Sequence, residues 1–247
     1  DTDAPTAIDA TLAGIKDYVL IRVGQTLTLD AVSVTQRGAN AEAFVTLAVK
    51  AHQVTGRPVI LRSPDPKALA AAAVALKGSH SVVCAPTAAA ATDLVGAAKD
   101  NGHALALTGP DLDTLGALSA KIKQSGGGGF NDLLLEYQTH SLAEQFQTNA
   151  IARRAALRDS FKATGYPTLR VLDEADLLES TVQAVTEIAK YGSLLVLPTF
   201  YPAQISILMT LRLNLYTDPQ KPIQVEPKLY PVGEPTADSP VFVTTNF

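Results

Sequence analysis

The sequence predicts an α/β fold, a TIM (β/α) eight-stranded parallel barrel. Eight short runs rich in Val, Ile and Leu recur along the chain, separated by longer Ala-rich segments that carry helix start and stop signals. Most of the runs are continuous rather than alternating, as strands covered on both faces should be. Eight such repeats within 247 residues fit a closed barrel better than an open doubly wound sheet, which usually has fewer strands and a phosphate-binding glycine turn after the first.

Taken in order, the first expected strand is "YVLIRV" (18–23). The connection after it, "GQTLTLDAVSVTQRGANAE", is the longest and is expected to carry an extra short element before a helix starting near Asn40. "PVILRS" (58–63) leads into Ser63-Pro64-Asp65-Pro66. Asp65 suits an N-cap, Pro66 the first turn, and Gly78 the stop of that helix. "SVVCAP" (81–86) and "ALALTG" (104–109) follow, and Thr108-Gly109-Pro110-Asp111 opens another helix.

"QSGGGGF" (124–130) follows a helix and precedes the strand "DLLLEYQ" (132–138). A phosphate loop has the opposite order, strand then loop then helix, so the glycines predict a flexible turn. "SLAEQFQTNAIARRAALRDSFKATG" predicts one long helix, with Ser141 and Glu144 at capping-box spacing and Gly165 at its end. On that helix Arg154, Arg158 and Lys162 would form a basic stripe, either a solvated face or a partner surface. "TLRVLD" (168–173), "SLLVLPT" (193–199) and "KPIQVEP" (221–227) complete the expected strands. Pro219 and Pro222 stiffen the approach to the last strand and Pro227 ends it.

Composition narrows the function. The 47% apolar and 18% charged content describes a globular chain, and a net charge of -4 gives no reason to expect nucleic acid or anionic lipid. No stretch approaches the roughly 18 apolar residues of a membrane span, and "DTDAPTAIDA" has the features of no signal peptide. Cys84 is the only cysteine, which excludes an internal disulfide, cannot supply an iron-sulfur cluster and fits a reducing, cytoplasmic setting. The chain starts without Met and stops abruptly at Phe247, so it is expected to be an internal piece of a longer polypeptide.

Ligands in such barrels sit at the C-terminal ends of the strands. The polar residues there are Arg62 and Ser63, Thr108, Glu136 with Tyr137 and Gln138, Arg170 with Asp173, Thr199, and Gln224 with Glu226. A ring of Arg62, Arg170, Glu136 and Glu226 would hold an anionic ligand or close the mouth with ion pairs. The histidines at 52, 80, 103 and 140 are scattered and form no metal motif. His140 follows a strand end and suits a helix cap, whereas His80 and His103 precede strands, on the side that usually serves stability. No G-x-S-x-G occurs and Cys84 lies within an apolar strand, so no catalytic nucleophile is expected.

The blocks "LRLNLYTDPQKPIQVEP" and "SPVFVTTNF", supported by "ARRAALRDSFKATGYPT", resemble the large (gamma) subunit of the corrinoid iron-sulfur protein of the acetyl-CoA synthase and carbon monoxide dehydrogenase system. The resemblance covers essentially the whole chain as that family's middle domain. It implies a barrel over 1–227, and a linker with the start of a C-terminal corrinoid-binding domain over 228–247. It also implies a methyl carrier of the reductive acetyl-CoA pathway, which takes a methyl group from a methyltetrahydrofolate or other methyl-pterin methyltransferase and passes it to acetyl-CoA synthase. The implied cofactors are cobalamin and a 4Fe-4S cluster, with ligands for both outside this chain. The implied partner is a small (delta) subunit, as a heterodimer. Only Thr244, Thr245, Asn246 and Phe247, at the threshold of the corrinoid domain, are candidate cofactor contacts, and no catalytic residue is expected on the barrel. The competing expectation is an independent barrel enzyme, a pterin-dependent methyltransferase using Glu136, Arg62 and Arg170.

Overall fold

A computed structural model describes residues 1–22, 24–125, 129–139, 141–172, 176–215, 228–231 and 233–241. Seven parallel strands run through them in sequence order. β3 (Val32–Thr35), β4 (Val59–Arg62), β5 (Val82–Ala85), β6 (Ala104–Gly109) and β7 (Leu133–Tyr137) form one sheet, and β8 (Leu169–Val171) pairs with β9 (Leu194–Val196). A parallel bridge between Leu135 and Thr168 joins the two groups, with the Leu135 amide donating to the Pro167 carbonyl at 2.9 Å. Helices α2 (Ala41–Thr55), α3 (Pro66–Ala75), α4 (Ala88–Asn101), α5 (Leu112–Ser125), α6 (Leu142–Leu157), α7 (Leu177–Ala189) and α8 (Pro202–Leu215) follow the strands one by one. This is the predicted β-α barrel order. The expected eighth strand, 221–227, the glycines 126–128 and the tail residues 242–247 lie outside the described residues.

The first barrel strand is not the one the sequence suggested. Leu20–Arg22 (β1) pairs antiparallel with Gln25–Leu27 (β2), and Gly24, at φ 72°, lies in the turn between them. Leu20 to Arg22 of that run therefore lie in a hairpin ahead of the barrel. The strand that opens the barrel, Val-Ser-Val-Thr, sits inside what read as a long connection and pairs in parallel with β4. Its alternation concealed it: Val32 and Val34 are buried against the helices, while Ser33 and Thr35 take the other face.

Each strand splits its side chains between two cores. Val34, Leu61, Val83, Leu107 and Leu135 pack with Phe44, Ala48 and Leu69 of the helices. Ile60, Val82, Cys84, Ala106, Leu134, Leu169 and Val196 pack with one another on the opposite face, inside the barrel. Helix starts match their signals where these were legible. Asn40 Oδ1 accepts from the amides of Glu42 and Ala43, Asp65 Oδ1 from Lys67 at 2.9 Å, and Ser141 Oγ from Glu144 at 3.2 Å.

Helix α1 (Pro5–Asp17) precedes the barrel and bridges α2 and the start of α8. Asp9 pairs with Lys50 at 2.5 Å, the Tyr18 ring meets Phe200 edge-on with centroids 6.1 Å apart, and a Cβ on Gly14 would lie 2.5 Å from Phe200 Cε1. Only glycine permits that approach without displacing the ring.

The predicted long helix after β7 stops at Leu157, and a 3-10 turn (Lys162–Thr164) follows. Ser160 adopts the left-handed conformation at φ 56°, which breaks the helix and lets Phe161 pack within 3.2 Å of the Cβ position of Gly116. Arg154, Arg158 and Lys162 therefore do not share one continuous helix.

Two buried polar groups hold the layers together. His103, 2% exposed, accepts the Ser81 amide at Nδ1 (3.2 Å), so Nε2 carries the proton and donates to the Ala73 carbonyl at 2.8 Å. Glu187 on α7 accepts from Gln145 Nε2 and Asn149 Nδ2 of α6, each at 2.7 Å, and the Tyr137 hydroxyl of β7 donates to Asn149 Oδ1.

Burial holds the His103 imidazole below its usual pKa, partly offset by its bond to Ala73. A lowered folded pKa means the native state binds fewer protons, so stability is lost as pH falls below about 6.5, the unfolded value. Melting temperature should therefore drop between pH 7 and pH 5 more steeply in wild type than in His103→Gln; parallel curves would refute this. For Glu187, Leu should cost about 2–4 kcal/mol in urea unfolding at pH 7, because two amide donors are left without acceptors.

Candidate functional site at the barrel mouth

The inward-facing register brings Thr35, Arg62, Thr108 and Glu136 to the C-terminal end of the barrel interior, where Arg62 is the register partner of Cys84. Thr108 Oγ1 donates to Glu136 Oε2 at 3.1 Å. The charges of Glu136 and Arg62 both act on the Cys84 thiol. Around them stand the small residues Ser33, Ala104 and Ala106, where a barrel interior usually carries bulky branched side chains.

An open cleft of about 1580 Å³ runs along the seam between β3 and β9 and reaches this interior, lined among others by Thr35, Arg62, Val196, Thr199, Phe200 and Leu208. These two strands end the seven-strand arc and do not pair with each other among the described residues.

The predicted four-residue ring is not assembled. Leu169 and Val171 face inward, so Arg170 between them faces the helices, where its charge bears on Tyr137 and Glu187. Tyr137 likewise belongs to the outer core. Ser63 donates to Gln36 Oε1 at 2.6 Å and takes part in the turn into α3, and Gln138 and Thr199 are exposed. Asp173, Gln224, Glu226, His140 and the candidate cofactor contacts Thr244, Thr245, Asn246 and Phe247 lie outside the described residues.

The sequence reading missed the cluster of Glu187, Gln145, Asn149 and Tyr137. Gln, Asn and Glu on helices ordinarily signal solvent, and only the position of Ala152, i+3 from Asn149 and in phase with the same buried face, hinted otherwise.

Burial makes the Cys84 thiol a weak nucleophile. Burial pushes the Cys84 thiol far up, the Glu136 carboxylate adds to this, and Arg62 offsets a part. Among the described residues no three His, Cys, Asp or Glu side chains could hold a metal ion, and no helix is long and apolar enough to cross a membrane. A single buried thiol also does not fit a 4Fe-4S cluster, which takes four thiolates. Cys84 in the native protein should react with an aromatic disulfide reagent at pH 8 at least about a hundredfold more slowly than in denaturant. Comparable rates would show that the barrel interior is open to solvent.

The sequence model of the family described as CO dehydrogenase/acetyl-CoA synthase delta subunit matches residues 1–247. The corrinoid/iron-sulfur protein large subunit of Moorella thermoacetica is 33% identical over 226 residues, covering 92% of this chain and 50% of that protein. The acetyl-CoA decarbonylase/synthase complex subunit gamma of Archaeoglobus fulgidus is 28% identical over 260 residues, covering 100% of this chain and 54% of that protein. The chain thus spans about half the length of the curated relatives it matches. Their names are those of large or gamma subunits, although the family description says delta. Among solved structures, 7,8-dihydropteroate synthase from Vibrio fischeri superposes with a TM-score of 0.56 at 13% identity, covering 82% of this chain and 99% of that one. At that identity the likeness speaks to the TIM-barrel fold alone. By its full-length match, the chain belongs to the CO dehydrogenase/acetyl-CoA synthase delta subunit family.

Proposed function

We propose that this chain is the scaffold barrel of a corrinoid iron-sulfur methyl carrier in the reductive acetyl-CoA pathway. Its similarity along 92% of its length to half of a corrinoid/iron-sulfur large subunit carries the proposal. In this reading residues 1–227 are the barrel, 228–247 lead into a corrinoid-binding domain, and Thr244 to Phe247 lie at the corrinoid. Cobalamin and the 4Fe-4S cluster are held by other parts of the longer protein. A cytoplasmic small (delta) subunit pairs with it. The methyl group arrives from a methyl-pterin methyltransferase and leaves to acetyl-CoA synthase.

The barrel's own work is positional. Carrier domains on linkers must visit successive partners, which needs a rigid body between them rather than a reactive site. The outward Arg170 supports this over a barrel-borne methyltransferase using Glu136, Arg62 and Arg170, since one of those three side chains is turned from the mouth toward the helices.

Glu136→Gln in the full-length protein should leave the rate of methyl transfer from methyl-pterin to acetyl-CoA synthase within about twofold of wild type. A loss of about 10²-fold or more, the usual cost of removing a general acid or base, would place chemistry on the barrel and overturn the scaffold reading.

A further inference from the structure

Helix α1 is the least embedded helix of the chain. Of its 13 residues only Leu12 is fully buried, whereas every other α-helix buries three or more. Ile8, Leu12 and Ile15, at i, i+4 and i+7, form the one apolar stripe that joins it to the outer core. Ala7, Thr11 and Ala13 remain exposed.

Its start is also unsupported. Asn40, Asp65, Thr87, Ser141 and Asp176 each accept amide hydrogens at the heads of α2, α3, α4, α6 and α7. Ala4 precedes α1 with no side-chain capping bond, and no acidic residue lies in its first turn. A 13-residue helix is marginal by itself, so α1 persists only through its attachments to the barrel.

Those attachments lie at its two ends and along one flank. Ahead of the helix, Asp1 Oδ1 accepts the amides of Arg37 at 2.7 Å and Gly38 at 3.0 Å, in the loop that leaves β3 at the barrel mouth. On the flank, Asp9 pairs with Lys50 of α2, but the two side chains are 58% and 44% exposed, and an ion pair that open to water is weak. At the far end the Tyr18 ring meets Phe200. Between these points Ile8, Thr11 and Ile15 form part of the wall of the cleft along the β3–β9 seam, together with Leu47, Leu208 and Met209.

We infer that α1 is a strap across the β3–β9 seam, which opens as a unit while the barrel stays folded, with the Asp1 carboxylate as its clasp. Local opening is drawn from elements with few buried contacts and weakly held ends, and α1 has both. The clasp couples the cleft to the mouth: release of the Arg37 and Gly38 amides frees the helix that forms one wall of the cleft. The inference concerns the barrel alone and stands apart from the functional reading above.

The test is hydrogen exchange in the full-length protein, followed by mass spectrometry of its peptides. Amides of 9–17 in α1 should exchange at least about a hundredfold faster than those of 45–55 in α2. Asp1→Ala and Lys50→Ala should each speed exchange in α1 by about threefold and leave α2 unchanged. In a Leu47→Cys variant, alkylation at position 47 should rise by the same factor when Asp1→Ala is added, because the cleft wall is uncovered with the strap. Exchange in α1 within about threefold of that in α2 would overturn the inference, since the helix would then open only with the barrel. Variants that speed α1 and α2 alike would overturn it too, as would alkylation at position 47 that ignores Asp1→Ala. Should Leu47→Cys fail to fold, exchange in the other two variants decides.

Discussion

A strand hydrogen-bonded along both edges can send its side chains only to alternate faces, and in this barrel that constraint decides what each polar residue can do. Arg62 and Glu136 fall on inward positions and share the mouth, whereas Arg170, at a superficially equivalent strand end, falls on an outward one. One residue of register separates a potential ligand contact from a partner of the helix layer. The same alternation buries Cys84 inside, where desolvation keeps its thiol protonated.

The outward positions then dictate what the helices must offer. Where strands present Leu and Val, α2 to α4 answer with Phe44, Ala48, Leu69 and Leu94, and packing is mainly apolar, with the buried His103 bonded to Ala73 of α3. Where β7 and β8 present Tyr137 and Arg170, α6 and α7 answer with Asn149, Gln145 and Glu187. A buried carboxylate is tolerated there because both oxygens accept amide hydrogens, although desolvation still raises its pKa. The polar seam is therefore a consequence of two outward-facing polar side chains, beside which α7 still buries Ala184 and Ile188 against Leu172 and Leu208.

Legibility followed the same divide. Runs such as "VILR" and "ALALTG" declare themselves because both faces are apolar or small, and caps such as Asp65 and Ser141 declare themselves through spacing. "VSVT" did not, since hydroxyls inside the barrel resemble the solvent face of an ordinary strand, while the more apolar "YVLIRV" took its place in the count. Ser160 broke a helix whose composition promised continuity, because a single left-handed residue outweighs the propensities around it. The mouth was legible as a set of residue types, but not as a set of directions, which depend on a register that no local pattern states.

The same constraints set how rigidly α6 and α7 are held against the strands. Rigidity here comes partly from hydrogen bonds that cross from α7 to α6 and from α6 to β7. Buried polar bonds of that kind are directional, so they fix the angle at which α6 and α7 present their outer flanks more tightly than leucine packing alone would. Replacing the polar seam with well-packed apolar residues would be expected to keep the barrel folded yet loosen that angle, which separates stability from orientation as the reason the carboxylate is there.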